Sequence, residues 1–146
     1  MRRQTVILII FAFLQSTILP FNLVLIFLLL KAYFFNQRST LYMAFFAGLL
    51  LSLLLNLPLG FLSIIYIFLT QAIHIISRLT FASNVLALFP LLFITLALDR
   101  FLISLYLKES MTLFPGVLVE VALAIPMYIL LRLLDEKLNI KSSMKI

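Results

Sequence analysis

The chain contains no cysteine and no tryptophan, one histidine, three glycines and five acidic residues in 146 positions. Without cysteine there is neither a disulfide nor a thiolate metal site. The lone histidine, His74, has no second histidine or cysteine with which to share a metal. The acids are scattered over three regions, and no nucleophile, base and orienting acid fall at a catalytic spacing. The expected protein is therefore not an enzyme, and no cofactor is expected. Charge of either sign is scarce at 11%, whereas 65% of the residues are hydrophobic and the mean hydropathy is +1.26. Soluble domains are roughly 45–50% apolar, so lipid is the expected solvent for most of the surface. The net charge of +6 does not point to nucleic acid. The basic residues stand singly between apolar runs, where they act as topology signals and contacts to anionic lipid.

Hydrophobicity breaks at Pro20-Phe21-Asn22, Asn36-Gln37-Arg38-Ser39, Asn56-Leu57-Pro58, Ser77-Arg78, Lys108-Glu109-Ser110 and Asp135-Glu136-Lys137. The reading is all-α: a single polytopic domain over 1–146, a bundle of about six short transmembrane helices. The expected spans are 5–19, 23–35, 40–55, 60–76, 79–98 and 116–134. Several are short against a hydrocarbon core of about 30 Å, a mismatch that local thinning and snorkelling can absorb. Five spans, or a re-entrant pair in the first third, remain alternatives. Met1-Arg2-Arg3 before an apolar stretch imitates a secretory signal, but equally apolar segments follow, so it reads as a retained first span. The fifth segment is too long for one straight span. Either it ends near Leu98, with Asp99-Arg100 at the outer interface, or it runs from Val85 to Leu107. The first is preferred, because an Asp-Arg pair at mid-membrane is costly unless partners meet it.

With the amino terminus inside, Arg2, Arg3, Lys31, Arg38, Arg78, Arg132, Lys137, Lys141 and Lys145 collect on one side, leaving Lys108 and Arg100 on the other. This positive-inside pattern places both termini in the cytoplasm.

Three polar or small-residue patterns stand out. Thr40, Ala44, Gly48, Ser52 and Asn56 recur every four residues on the third helix, a spacing that lets another backbone approach closely. That seam serves either a partner subunit or, preferred on the residues alone, packing within the bundle. Ser63, Tyr66, Thr70, His74 and Ser77, flanked by Gln71, form a polar stripe on the fourth helix. An interhelical seam is preferred there over a ligand groove. Glu120, about one turn into the last span, is placed to pair with Arg100. Arg132 and Glu136 form an i,i+4 pair at a helix end. Pro90 and Pro126 fall inside spans and predict kinks.

The run Leu14-Gln15-Ser16-Thr17-Ile18-Leu19-Pro20, then Phe21-Asn22-Leu23-Val24-Leu25, resembles the start of the bacterial rod shape-determining protein MreD family. Ala47-Gly48-Leu49-Leu50-Leu51-Ser52 with Pro58-Leu59-Gly60 is similar to that family's third span and turn. Ala124-Ile125-Pro126-Met127-Tyr128, leading to Arg132-Leu133-Leu134, is similar to its last helix. Two positions depart: Ser52 and Asn22 stand where the family usually and often, respectively, carries an acid. The resemblance implies a non-enzymatic subunit of the cell-elongation machinery in the bacterial cytoplasmic membrane, organising peptidoglycan synthesis. Its implied partners are a membrane-anchored MreC-like protein and, indirectly, an MreB-like actin homologue and a RodA-type glycosyltransferase with its transpeptidase. The third-helix seam is then the first candidate for a partner face.

The alternative is the substrate-binding membrane component of an energy-coupling-factor vitamin transporter, which fits in size and topology. Its usual Ala-xxx-Ala docking pattern has only Ala12-xxx-Ser16 as counterpart, and no tryptophan is available for a ligand.

Overall fold

The computed structural model describes residues 2–18, 21–34, 37–79, 85–108 and 114–143, and the side chains of 4–18, 21–34, 39–78, 86–108 and 116–134. Six helices follow in order: α1 (Arg2–Thr17), α2 (Leu23–Phe34), α3 (Gln37–Leu54), α4 (Phe61–Leu79), α5 (Val85–Leu107) and α6 (Phe114–Ser143). Three are long and apolar enough to cross a membrane, over Phe61–Arg78, Leu86–Leu107 and Gly116–Leu134; the other three are shorter apolar helices. This is consistent with a membrane protein.

α2 is the axis of the molecule. It packs against each of the other five helices, and no other helix does so. The remaining five form an open ring around it in the order α1, α3, α4, α5, α6, with no α1–α6 pairing among the described residues. The sequence explains the position. From Leu23 to Leu30 every residue is a large apolar one, so α2 has no polar face to turn outward. A helix apolar all round belongs in the interior. Val24 to Leu30 are 0% exposed. The ring helices show the opposite pattern: Phe46, Leu53, Ile64, Phe68, Leu86 and Leu118 point outward at 59–81% exposure. An exterior of this kind suits lipid, not water.

α3 and α4 form the most extensive helix pair. Their connection is a tight cap. Asn56 sits at φ 54°, Leu57 N–H donates to Ser52 O at 2.9 Å and Asn56 N–H to Leu53 O at 3.5 Å. This is the Schellman pattern, with Asn56 as the left-handed residue and Pro58 preventing continuation. Gly60 (φ 90°) then turns the chain into α4, in a conformation that L side chains rarely adopt.

Two expectations change. Asn56 does not continue the third-helix stripe, because α3 ends at Leu54 and Asn56 is an exposed cap. The expected break near Leu98 is absent: α5 runs through Asp99 and Arg100 to Leu107, the other of the two arrangements considered. Asp99 then lies about 12 Å from the helix end at 1.5 Å per residue. The cost that argued against this is met by tertiary partners, described next. The start of that segment at 80–84 lies outside the described residues, as do the side chains of Arg2, Arg3, Arg38, Glu136, Lys137 and Lys141, and Lys145 altogether. The Arg132–Glu136 pair therefore falls outside the described side chains.

Candidate functional site: a buried polar cluster at the head of α2

The amino-terminal end of α2 gathers polar groups from the four helices α1, α4, α5 and α6. Asn22, just before α2, has its backbone N–H on Glu120 Oε1 of α6 at 3.1 Å. Its side-chain amide donates to Asp99 Oδ2 of α5 at 2.6 Å. Its amide oxygen accepts from Gln15 Nε2 of α1 at 2.8 Å. Gln15 Oε1 in turn accepts from Val24 N–H at 3.2 Å. Tyr66 of α4, fully buried, adds a hydrogen bond to Gln15. Arg100 closes the cluster, with Nη2 2.6 Å from Glu120 Oε1.

The physical logic begins with α2 itself. A helix start leaves backbone N–H groups without intrahelical acceptors, and a partial positive charge accumulates there. An exposed helix would give these groups to water. α2 begins inside the protein, so the acceptors come from neighbouring helices: a glutamate and a glutamine take its first donors. Asp99 and Glu120 are both 0% exposed, so their charge is held by Asn22, the helix start and Arg100. Arg100 keeps 24% of its side chain exposed, reaching inward past Gly116. A Cβ at Gly116 would lie 2.5 Å from Arg100 Nη1, so the glycine makes room for the guanidinium.

At the opposite end of α2 lies Lys31, 3% exposed. Its Nζ donates to Gln4 Oε1 at 2.7 Å and to Ser39 Oγ at 3.5 Å, and lies 2.9 Å from Met43 Sδ. A cation near a helix carboxyl terminus and carboxylates at its amino terminus both complement the helix dipole. Between the two ends α2 offers only hydrocarbon, so no polar path joins them along this helix.

The stripe on α4 faces inward throughout: Ser63, Tyr66, Thr70, His74 and Ser77 are buried. Ser63 Oγ donates across the seam to Phe45 O of α3 at 3.0 Å. His74 Nδ1 lies 3.3 Å from Ala32 O of α2. Thr70 and Ser77 bond back to their own helix, at Tyr66 O (2.6 Å) and His74 O (2.9 Å). The stripe thus divides. Tyr66 belongs to the polar cluster, Ser63 and His74 reach across to neighbouring helices, and Thr70 and Ser77 are satisfied within α4.

The small-residue seam on α3 is occupied by α4. Thr40, Ala44, Gly48 and Ser52 are buried, and Gly48 packs directly on the backbone of Leu62 and Ser63. The face first considered for a partner is therefore used inside the bundle. Backbone contact at Gly48 leaves no room for another helix.

Sequence spacing brought Arg100 and Glu120 together but did not find Gln15, Asn22 or Asp99 as their companions. The sequence puts Asp99 at an interface, whereas it is among the most buried of the described residues. The available signal was the rarity of such groups: Gln15 and Asn22 are polar interruptions on either side of the first turn, and each needs a partner in an apolar setting.

Compared with family models, curated proteins and solved structures, the chain matches none.

Proposed function

We propose that this chain is a non-enzymatic subunit of the bacterial cell-elongation complex, seated in the cytoplasmic membrane with six spans and both termini inside. In this reading it organises peptidoglycan synthesis by presenting helix faces to an MreC-like partner and, through it, to a RodA-type glycosyltransferase, its transpeptidase and an MreB-like filament. The observation that carries the reading is the filled centre: α2 occupies the bundle axis at 0% exposure over Val24–Leu30. A vitamin-binding component needs a cavity with convergent polar groups, and the axis of this bundle is packed with hydrocarbon. The apolar exterior of α3–α6 supplies surface for lipid and for partner helices. The motif residues behind the resemblance also fall at structurally demanding places. Gln15 and Asn22 lie in the polar cluster, Gly48 at a direct backbone contact between α3 and α4, and Pro58 to Gly60 in the α3–α4 turn. Since the α3 seam is internal, the partner faces fall to the outward sides of the ring helices.

Affinity purification of the tagged chain from native membranes, after mild crosslinking, tests the proposal. Recovery of MreC-like and RodA-type proteins is the expected result. Recovery of a transporter's ATP-hydrolysing module in their place would overturn it.

A further inference from the structure

The buried cluster at the head of α2 does not balance its charge. Asp99 and Glu120 bring two carboxylates, both 0% exposed, and Arg100 is the one cation among the described side chains there. The start of α2 offsets part of the remainder, but a helix terminus carries only about half a charge. The hydrogen bonding is incomplete in the same sense. Glu120 Oε1 takes both Asn22 N–H and Arg100, while Glu120 Oε2 has no partner among the described residues. Asp99 Oδ2 takes the Asn22 amide, while Asp99 Oδ1 has none. Two buried carboxylate oxygens, on side chains anchored to the same asparagine, are thus left without a donor, and Arg100 Nε, the one unpaired donor of the cluster, is attached to the cation already counted and adds no further charge. Buried polar atoms of this kind are rare and call for an unseen partner. In an apolar surrounding, a buried excess charge is strongly disfavoured unless an opposite charge meets it.

We propose that the Asp99–Glu120 cluster is a binding site for one small monovalent cation of sodium type, held by Asp99 Oδ1 and Glu120 Oε2. Hard oxygen ligands suit a hard cation. The charge count calls for a single positive charge. No group of three or more His, Cys, Asp or Glu side chains occurs among the described residues, and two carboxylates with one already matched by Arg100 leave charge for a monovalent ion only. The site would tie α5 and α6 to the start of α2, so occupancy would govern how firmly the axial helix is held. This inference rests on the charge ledger and stands apart from the cell-elongation reading.

The test is thermal unfolding of the purified full chain in detergent, followed by helical circular dichroism. Sodium chloride is exchanged for choline chloride at constant ionic strength, over several pH values. A saturable rise in Tm with sodium is expected in the wild type. Asp99→Asn keeps the shape, removes the excess charge and should abolish the sodium response, while matching or exceeding the Tm of sodium-free wild type. Binding of radioactive sodium to the wild type, read directly, should saturate near one ion per chain. A Tm indifferent to sodium, or one that follows pH alone, would overturn the proposal, the latter because a proton would then suffice. An unchanged sodium response in Asp99→Asn would overturn it too.

Discussion

Gly48→Ala tests the packing at the α3–α4 seam. A Cβ at this position would meet Ser63 Cα most closely, then Ser63 N at 2.5 Å and Leu62 C at 2.8 Å, where ordinary contact begins at 3.4 Å. All three obstacles are backbone atoms of a helix, so no side chain can rotate away. The helices must therefore part by about 1 Å at this point. That displacement would also stretch the Ser63 Oγ to Phe45 O bond, now 3.0 Å, toward its limit. Overpacking of this kind costs about 1–3 kcal/mol, and an interhelical hydrogen bond in an apolar setting adds about 0.6–2 kcal/mol. We expect Gly48→Ala to lose about 2–4 kcal/mol, and Gly48→Leu to abolish folded yield. Gly60→Ala serves as the comparison. Nothing lies within 4 Å of its Cβ position, so only the cost of a left-handed alanine applies, about 1–2 kcal/mol. The assay is reversible unfolding in mixed micelles, read by circular dichroism. A Gly48→Ala protein as stable as wild type would refute the seam as described.

Substitutions at four further positions probe other parts of the structure. Arg100→Gln leaves Glu120 buried without its cation and should cost about 3 kcal/mol, since breaking one side of a buried pair is severe. Adding Glu120→Gln should restore part of that loss in the same unfolding assay, and a double variant worse than the sum would contradict the pairing. Lys31→Met replaces a buried ammonium, bonded only to neutral acceptors among the described residues, with a side chain of similar shape; stability should stay within about 1 kcal/mol of wild type or rise. Asn56→Val places a β-branched residue at φ 54° and should cost more than 1 kcal/mol, whereas Asn56→Gly should be close to neutral, both read by thermal unfolding.

What the sequence disclosed, and what it withheld, follows the range of the interactions. Helices and their breaks rest on local chemistry. Proline at 58 and glycine at 60 mark the α3–α4 turn, and the spacing of Ala44, Gly48 and Ser52 marks a close-packing face. The Arg100–Glu120 pair was also legible, since few charges compete for each other in so apolar a chain. The occupant of the α3 seam was not, because spacing shows that a backbone approaches and not whose it is. The central place of α2 was legible in principle. Eight consecutive large apolar residues with no polar side describe an interior helix, yet beside five other apolar segments they looked like one more span. Asp99 was misplaced for a different reason. An Asp-Arg pair is costly inside a membrane unless it finds partners, and the partner here, Asn22, lies 77 residues away in sequence and meets Asp99 at 2.6 Å. No local pattern carries a pairing of that range.

Lipid as the medium around the ring of helices underlies the packing described above. The chain has no cysteine of its own, so single cysteines at Phe46, Phe68 and Leu118, all more than half exposed, can each carry a fluorophore in reconstituted bilayers. Quenching by spin-labelled lipid chains and shielding from aqueous iodide at all three positions is the predicted result. Iodide quenching at these positions, with lipid quenchers silent, would contradict it.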